Sequence, residues 1–150
     1  MAKYLLAHAQ KCKNKNLFMM DNKTTETKNM NILIIEDEGD ISLILNLMLK
    51  KGDVEIEHVT TLAKAGAFLK EQKTDIVIID NQLPDGLGMD YIKTIKDDYP
   101  TLKIIMITGN TDITDRETAL QNGADVFLAK PFTKEQIQAA IESVSSLRVA

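Results

Sequence analysis

From residue 31 onward, short aliphatic runs alternate with longer segments in which apolar side chains return every three or four positions. The run NILII (31–35) lacks polar alternation, as a strand buried on both faces requires. Asp40–Lys51 follows with helical spacing, and Gly52 is placed to stop it. Val54, Ile56 and Val59, with charged residues between them, predict a second strand. Leu62, Ala65, Gly66 and Leu69 share one face of a second helix. DIVIID (75–80) predicts a third strand, and Met89–Asp98 a third helix ended by Pro100. KIIMIT (103–108), Thr111–Asn122 closed by Gly123, and ADVFLA (124–129) continue the alternation. Thr133 can cap a last helix whose Ile137, Ala140, Ile141 and Val144 line one stripe.

Five strand–helix units of this kind imply an α/β fold, a doubly wound parallel sheet of five strands covered on both faces. Right-handed crossovers leave few topologies, and the functional crevice of such a sheet lies beyond the carboxyl ends of its strands. The first helix is unusually apolar. Ile41, Ile44, Leu45 and Met48 make one stripe, while Leu43 and Leu47 lie on another side. Either the helix has a wide buried face, or the extra leucines form a partner surface.

Residues 1–29 fall outside this pattern. They are rich in Lys, Asn and Thr and are read as a flexible, disordered leader before a domain at 30–150. Met19, Met20 and Met30 are alternative start positions. The leader carries six lysines against Asp21 and Glu26, a net of +4, whereas the rest of the chain carries −8 within a total of −4. An acidic domain is poorly suited to bind nucleic acid and well suited to a divalent cation. The single Cys12 cannot form an internal disulfide, and no apolar run approaches a bilayer span. A cytoplasmic location with no membrane association is the expectation.

The chemistry sits at the predicted strand ends. Glu36 and Asp37 follow the first strand, Asp80 ends the third, Thr108 ends the fourth and Lys130 follows the fifth. Any one of these alone reads as a solvated loop residue. Three acids, a hydroxyl and an amine at one edge are hard to obtain from loop composition. Clustered carboxylates repel one another, and a divalent cation relieves this. Oxygen ligands without His or Cys favour Mg²⁺, which bridges readily to phosphate. A carboxylate can serve as the nucleophile of an aspartyl-phosphate, which suits Asp80. Lys130 offers a mobile positive charge and Thr108 a hydroxyl to phosphate oxygens.

The strings ILIIEDE, DIVIIDNQLPDGLG, IIMITGN and GADVFLAKPF resemble the signature segments of response-regulator receiver domains, in the family's order, over roughly residues 30–148. The resemblance implies the flavodoxin-like, CheY-like (βα)5 sheet of order 2-1-3-4-5. It implies Asp80 as phosphoacceptor, and Glu36, Asp37, Asp80 and the backbone carbonyl of Gln82 as the Mg²⁺ ligands. It gives Thr108 and Lys130 the family's hydroxyl and lysine roles, and a cis bond between Lys130 and Pro131. Phe127 falls where the family's switch aromatic lies on strand five; the alternative is simple packing against the fourth helix. Glu36 stands where Asp is commoner. Gly109 follows Thr108, and the neutral Gln82 and Asn110 flank the site, at positions that tune phosphoryl lifetime in the family.

The implied partners are a histidine kinase or histidine phosphotransfer protein as donor and a downstream protein target. A homodimer could form through the face of helix four, strand five and helix five, which would include Arg116, Phe127 and Lys134. The expected function is a stand-alone signalling module that catalyses only its own phosphorylation and dephosphorylation. The alternatives are a receiver cut from a DNA-binding regulator or hybrid kinase, or a metal-dependent aspartyl-phosphate phosphatase. The phosphatase reading wants an acid two residues after the nucleophile, where Gln82 has no proton to supply.

Overall fold

The computed structural model describes residues 29–110 and 112–146. The leader predicted over 1–29 lies outside the described residues, apart from Asn29. Strands and helices alternate as β1 (Met30–Ile35), α1 (Gly39–Leu49), β2 (Val54–Val59), α2 (Leu62–Glu71) and β3 (Ile76–Asp80). A two-residue hairpin follows, β4 (Gln82–Leu83) and β5 (Gly86–Leu87), and then α3 (Gly88–Asp98). β6 (Lys103–Thr108), α4 (Ile113–Asn122), β7 (Val126–Ala129) and α5 (Lys134–Ser146) complete the order. The main sheet is parallel and runs β2-β1-β3-β6-β7. With the hairpin set aside, this is the order 2-1-3-4-5.

The unbroken aliphatic runs are explained by two cores. Leu33, Ile35, Val77, Ile79, Ile104 and Met106 face α2, α3 and α4, where Ala65, Leu69, Ile92, Ile95 and Ala119 meet them. Ile32, Ile34, Ile76, Ile78, Ile105 and Ile107 face α1 and α5, against Leu45, Leu49, Ile137, Ala140 and Val144. Each fully buried aliphatic side chain contributes about 1.5–3 kcal/mol, so the central strands β1, β3 and β6 anchor the domain.

Several element ends differ from the sequence reading. The first helix stops at Leu49 rather than at Gly52, with Lys50 extended and its N–H bonded to the Asn46 carbonyl. Its last core contact is Leu49; nothing beyond is buried, so the chain turns out there. Its buried line is Ser42, Leu45 and Leu49, and Ile44 is exposed together with Leu43 and Leu47. The fourth helix starts at Ile113, later than predicted, because Asn110 forms its own turn, accepting from the Asp112 N–H and donating to Asp115. The hairpin was not foreseen as strands; it is only two residues long on each side. Thr133 caps α5 as expected. Its hydroxyl oxygen accepts from the Gln136 N–H while the Gln136 side chain accepts from the Thr133 N–H, a reciprocal capping box.

Two glycines hold close approaches. Gly123 ends α4 in the left-handed region at φ 115°, and a Cβ there would lie 2.6 Å from Lys96 Cγ. Lys96 is itself fixed, donating to the Leu102 carbonyl at 2.6 Å and pairing with Asp125 at 3.1 Å. Gly88 lets the start of α3 lie against the end of β3. A Cβ at Gly88 would collide with the backbone carbonyl oxygen of Asp80.

Gly88→Ala is therefore expected to destabilise the domain by about 1–3 kcal/mol or more, the usual cost of forced overpacking. Gly39→Ala, where an added Cβ meets nothing within 4 Å, is expected to cost nothing measurable. Urea unfolding of the two variants checks the contrast.

Candidate functional site

The sheet delivers its polar residues to one end. Asp80 is the last residue of β3, and Thr108 the last of β6; both are buried. Glu36 follows β1 and is fully buried, while Lys130 follows β7. A cleft of about 680 Å³ opens here, with Asp37, Glu38, Asp80, Gln82, Thr108, Asn110 and Lys130 among its lining residues. Asp37 and Asp80 thus share one cavity. A cleft of about 730 Å³ at the opposite end, between the ends of α2 and α3, is lined by Lys73, Asp75, Asp98 and Lys103 among others and by none of Asp37, Asp80, Thr108 or Lys130.

Lys130 organises the site. Its Nζ lies 3.0 Å from Glu36 Oε2 and 3.4 Å from Asp80 Oδ1. The second oxygen of Glu36 accepts from the Glu38 N–H at 3.0 Å, so both its oxygens are engaged inside the protein. Asp80 Oδ1 accepts from the Asn81 N–H at 2.8 Å. Thr108 Oγ1 accepts from the Asn110 N–H at 3.2 Å, an arrangement that leaves the hydroxyl proton for another acceptor. The Lys130–Pro131 peptide bond is cis.

The carboxylates that approach one another are Glu36, Glu38 and Asp80, with one oxygen from each within 4.8 Å of the others. Glu38 is the residue that sequence reasoning missed. It follows the acidic pair directly, but only the turn between β1 and α1 brings its carboxylate back toward Asp80. Asp37 is exposed, faces the same cleft and stands outside that trio. Gln82 lines the cleft from the hairpin, so its carbonyl is carried on a braced loop. The Asp85 carboxylate accepts from the Leu62 and Ala63 N–H groups at 2.9 Å each, which holds its pKa below the usual carboxylate range. Asn81 accepts from Gly88 N–H through its carbonyl, at 2.7 Å, and from Met89 N–H through its side chain, at 3.1 Å. The segment predicted only as a sharp turn is thereby tied to the starts of two helices.

Electrostatics follow from burial. Desolvation raises the Glu36 pKa, against the Glu38 N–H and the Lys130 ammonium, and the Asp80 charge adds to the rise. Burial also works against the Lys130 charge, but the hydrogen bond that Lys130 donates to Glu36 and the charges of Asp80 and Glu36 outweigh it, and its pKa is raised. Phe127 is half-buried on the α2–α4 side of the sheet, opposite Met106, and Thr108 is opposite Ala129. Phe127 and Thr108 therefore share a face, two residue pairs apart along the ladder, as a coupled pair requires; packing against the core is equally satisfied.

The sequence model of the response regulator receiver domain matches residues 32–142. The KDP operon transcriptional regulatory protein KdpE of Escherichia coli (strain K12) is 31% identical over 111 residues, which is 74% of this chain and 49% of that protein. The chain thus spans about half the length of this curated relative. The beryllofluoride-activated NtrC4 receiver domain dimer superposes with a TM-score of 0.73 at 30% identity, covering 76% of this chain and 94% of that one. A CheY-like receiver domain protein from Methanospirillum hungatei JF-1 shares the fold, with a TM-score of 0.74 at 24% identity over 79% of this chain and 95% of its own. The chain belongs to the response-regulator receiver family.

The raised pKa of Glu36 carries a sign. A carboxyl group whose folded pKa lies above its unfolded value favours folding below that range, and loses this advantage as pH rises through the folded pKa. The stability of the wild type relative to Glu36→Gln is expected to fall as pH rises above the ordinary carboxylate range. Chemical unfolding at a series of pH values, without divalent metal, measures it; a difference that grows with pH would contradict the assignment.

Proposed function

We propose that Asp80 accepts a phosphoryl group from a phosphohistidine donor, and that the modified domain then binds a downstream protein. The observation that carries this reading is Lys130 Nζ, within 3.4 Å of Asp80 Oδ1 in a cleft shared with Thr108. An Asp80 oxygen would attack phosphorus as the bond to the donor's imidazole nitrogen breaks, so the chain needs no general acid of its own. The ammonium of Lys130 and the free hydroxyl proton of Thr108 stand where phosphoryl oxygens would arrive.

The donor set suits Mg²⁺: carboxylates of Asp37, Glu38 and Asp80 with the Gln82 carbonyl, oxygens only, on one cleft. Bound there, Mg²⁺ would neutralise charge on the transferring group. Glu36, with both oxygens engaged, would act through Lys130 and through waters rather than by direct contact. The domain works as a signalling switch and not as an enzyme on separate substrates. Its donor is a histidine kinase or histidine phosphotransfer protein, and exposed Leu43 and Leu47 on α1 suit docking of donor helices. Exposed Ile113 and Leu120 on α4 suit a partner or second copy. Net negative charge argues against direct nucleic-acid binding by this domain. No helix among the described residues is long and apolar enough to cross a membrane, which fits a cytoplasmic reading.

A second reading makes this receiver the input part of a longer regulator. The greater length of KdpE favours it. The mass of the native protein separates it from a stand-alone switch.

With Mg²⁺ and acetyl phosphate, the protein is expected to gain one acid-labile phosphoryl group by intact mass. Asp80→Asn is expected to gain none, and equal labelling of that variant would overturn the site. Lys130→Ala is expected to label yet respond weakly, seen as a smaller phosphorylation-dependent change in amide spectra around Thr108.

A further inference from the structure

His58 stands at the end of β2, opposite Ile34 of β1. Its Nε2 lies 2.7 Å from the backbone carbonyl oxygen of Glu36. A carbonyl only accepts, so Nε2 carries the proton and donates. The β1–β2 ladder reaches one step past β1, with the Glu36 N–H donating to the Val59 carbonyl at 3.1 Å. There β2 ends, and the imidazole takes the place of the next strand donor.

We infer that His58 is a positioning residue for the acidic corner, fixing the peptide between Glu36 and Asp37. The peptide unit is planar, so a bond that fixes the Glu36 carbonyl fixes the Asp37 N–H and Cα in the same plane. With the Glu36 side chain pinned by Glu38 N–H and Lys130, the turn is held on both sides. Asp37 then presents its carboxylate from a fixed backbone although it is exposed. The role rests on the magnesium reading of the cleft for its function but not for its geometry. Partners that orient metal ligands typically change metal affinity by roughly 10–100-fold when removed.

The test compares the full chain with His58→Leu and His58→Gln. Gln places an N–H donor at a reach similar to Nε2; Leu places none. Amide hydrogen exchange at Asp37 and Glu38, without metal, is expected to quicken in His58→Leu and to stay near wild type in His58→Gln. Mg²⁺ titration by calorimetry is expected to show about tenfold weaker binding for Leu, largely restored in Gln. Unchanged exchange in His58→Leu, or equal damage from Leu and Gln, overturns the positioning role. A wild type that binds no Mg²⁺ overturns the magnesium reading, while the exchange result still decides the role of His58.

Discussion

The site depends on one ammonium placed among acids. Three carboxylates from the carboxyl ends of β1 and β3 approach within 4.8 Å of one another, and without a counter-charge their repulsion and desolvation would drive these strand ends apart. Lys130 reaches across from the end of β7, two strands from β3 and three from β1, to join Asp80 and Glu36. Because Glu36 is fully buried, its charge depends on this partner and on the Glu38 N–H. The ion pair therefore stitches the end of β7 to the ends of β1 and β3, and makes site and fold a single unit.

Around that pair, the backbone is braced by further polar side chains. Asp85 bonds the start of α2, Asn81 bonds the start of α3, and Asn110 shapes the start of α4. Each tie runs from a loop at the carboxyl end of the sheet to a helix N-terminus, where unpaired N–H groups need acceptors. The loops bearing the reactive groups are thus held by the helices that cover the core. Gly88, with no room for a Cβ beside the Asp80 carbonyl, belongs to the same bracing.

Membership of the receiver family adds the fold's usual logic, in which modification at a strand end alters a surface some distance away. Thr108 and Phe127 lie on one face of neighbouring strands, so a movement of the hydroxyl toward Asp80 has an aromatic beside it that can respond. The apolar side chains exposed on α1 and α4 lie on opposite sides of the sheet. Under the proposed function, docking of the donor on one side and of a partner on the other therefore need not compete.

Much of this was legible in the chain. The unbroken aliphatic runs of β1, β3 and β6 had to be strands buried on both faces, and the alternation of five strand segments with helical stripes fixed the parallel architecture, because only crossover helices can cover such a sheet. The placing of Glu36, Asp37, Asp80, Thr108 and Lys130 at strand ends followed from the same pattern. What periodicity cannot carry is the path of a loop. Glu38 reads as an ordinary helix-flanking acid, His58 as an exposed strand residue and Asp85 as a turn residue; yet the Glu38 carboxylate meets that of Asp80, His58 meets a carbonyl 22 positions away and Asp85 an N–H 23 positions away. Ile44 shared a helical stripe with Leu45, yet it is exposed while Leu45 is fully buried. Local sequence sets backbone preference and apolar face; only the packing of elements decides which polar groups meet, because those meetings depend on distances between segments remote along the chain.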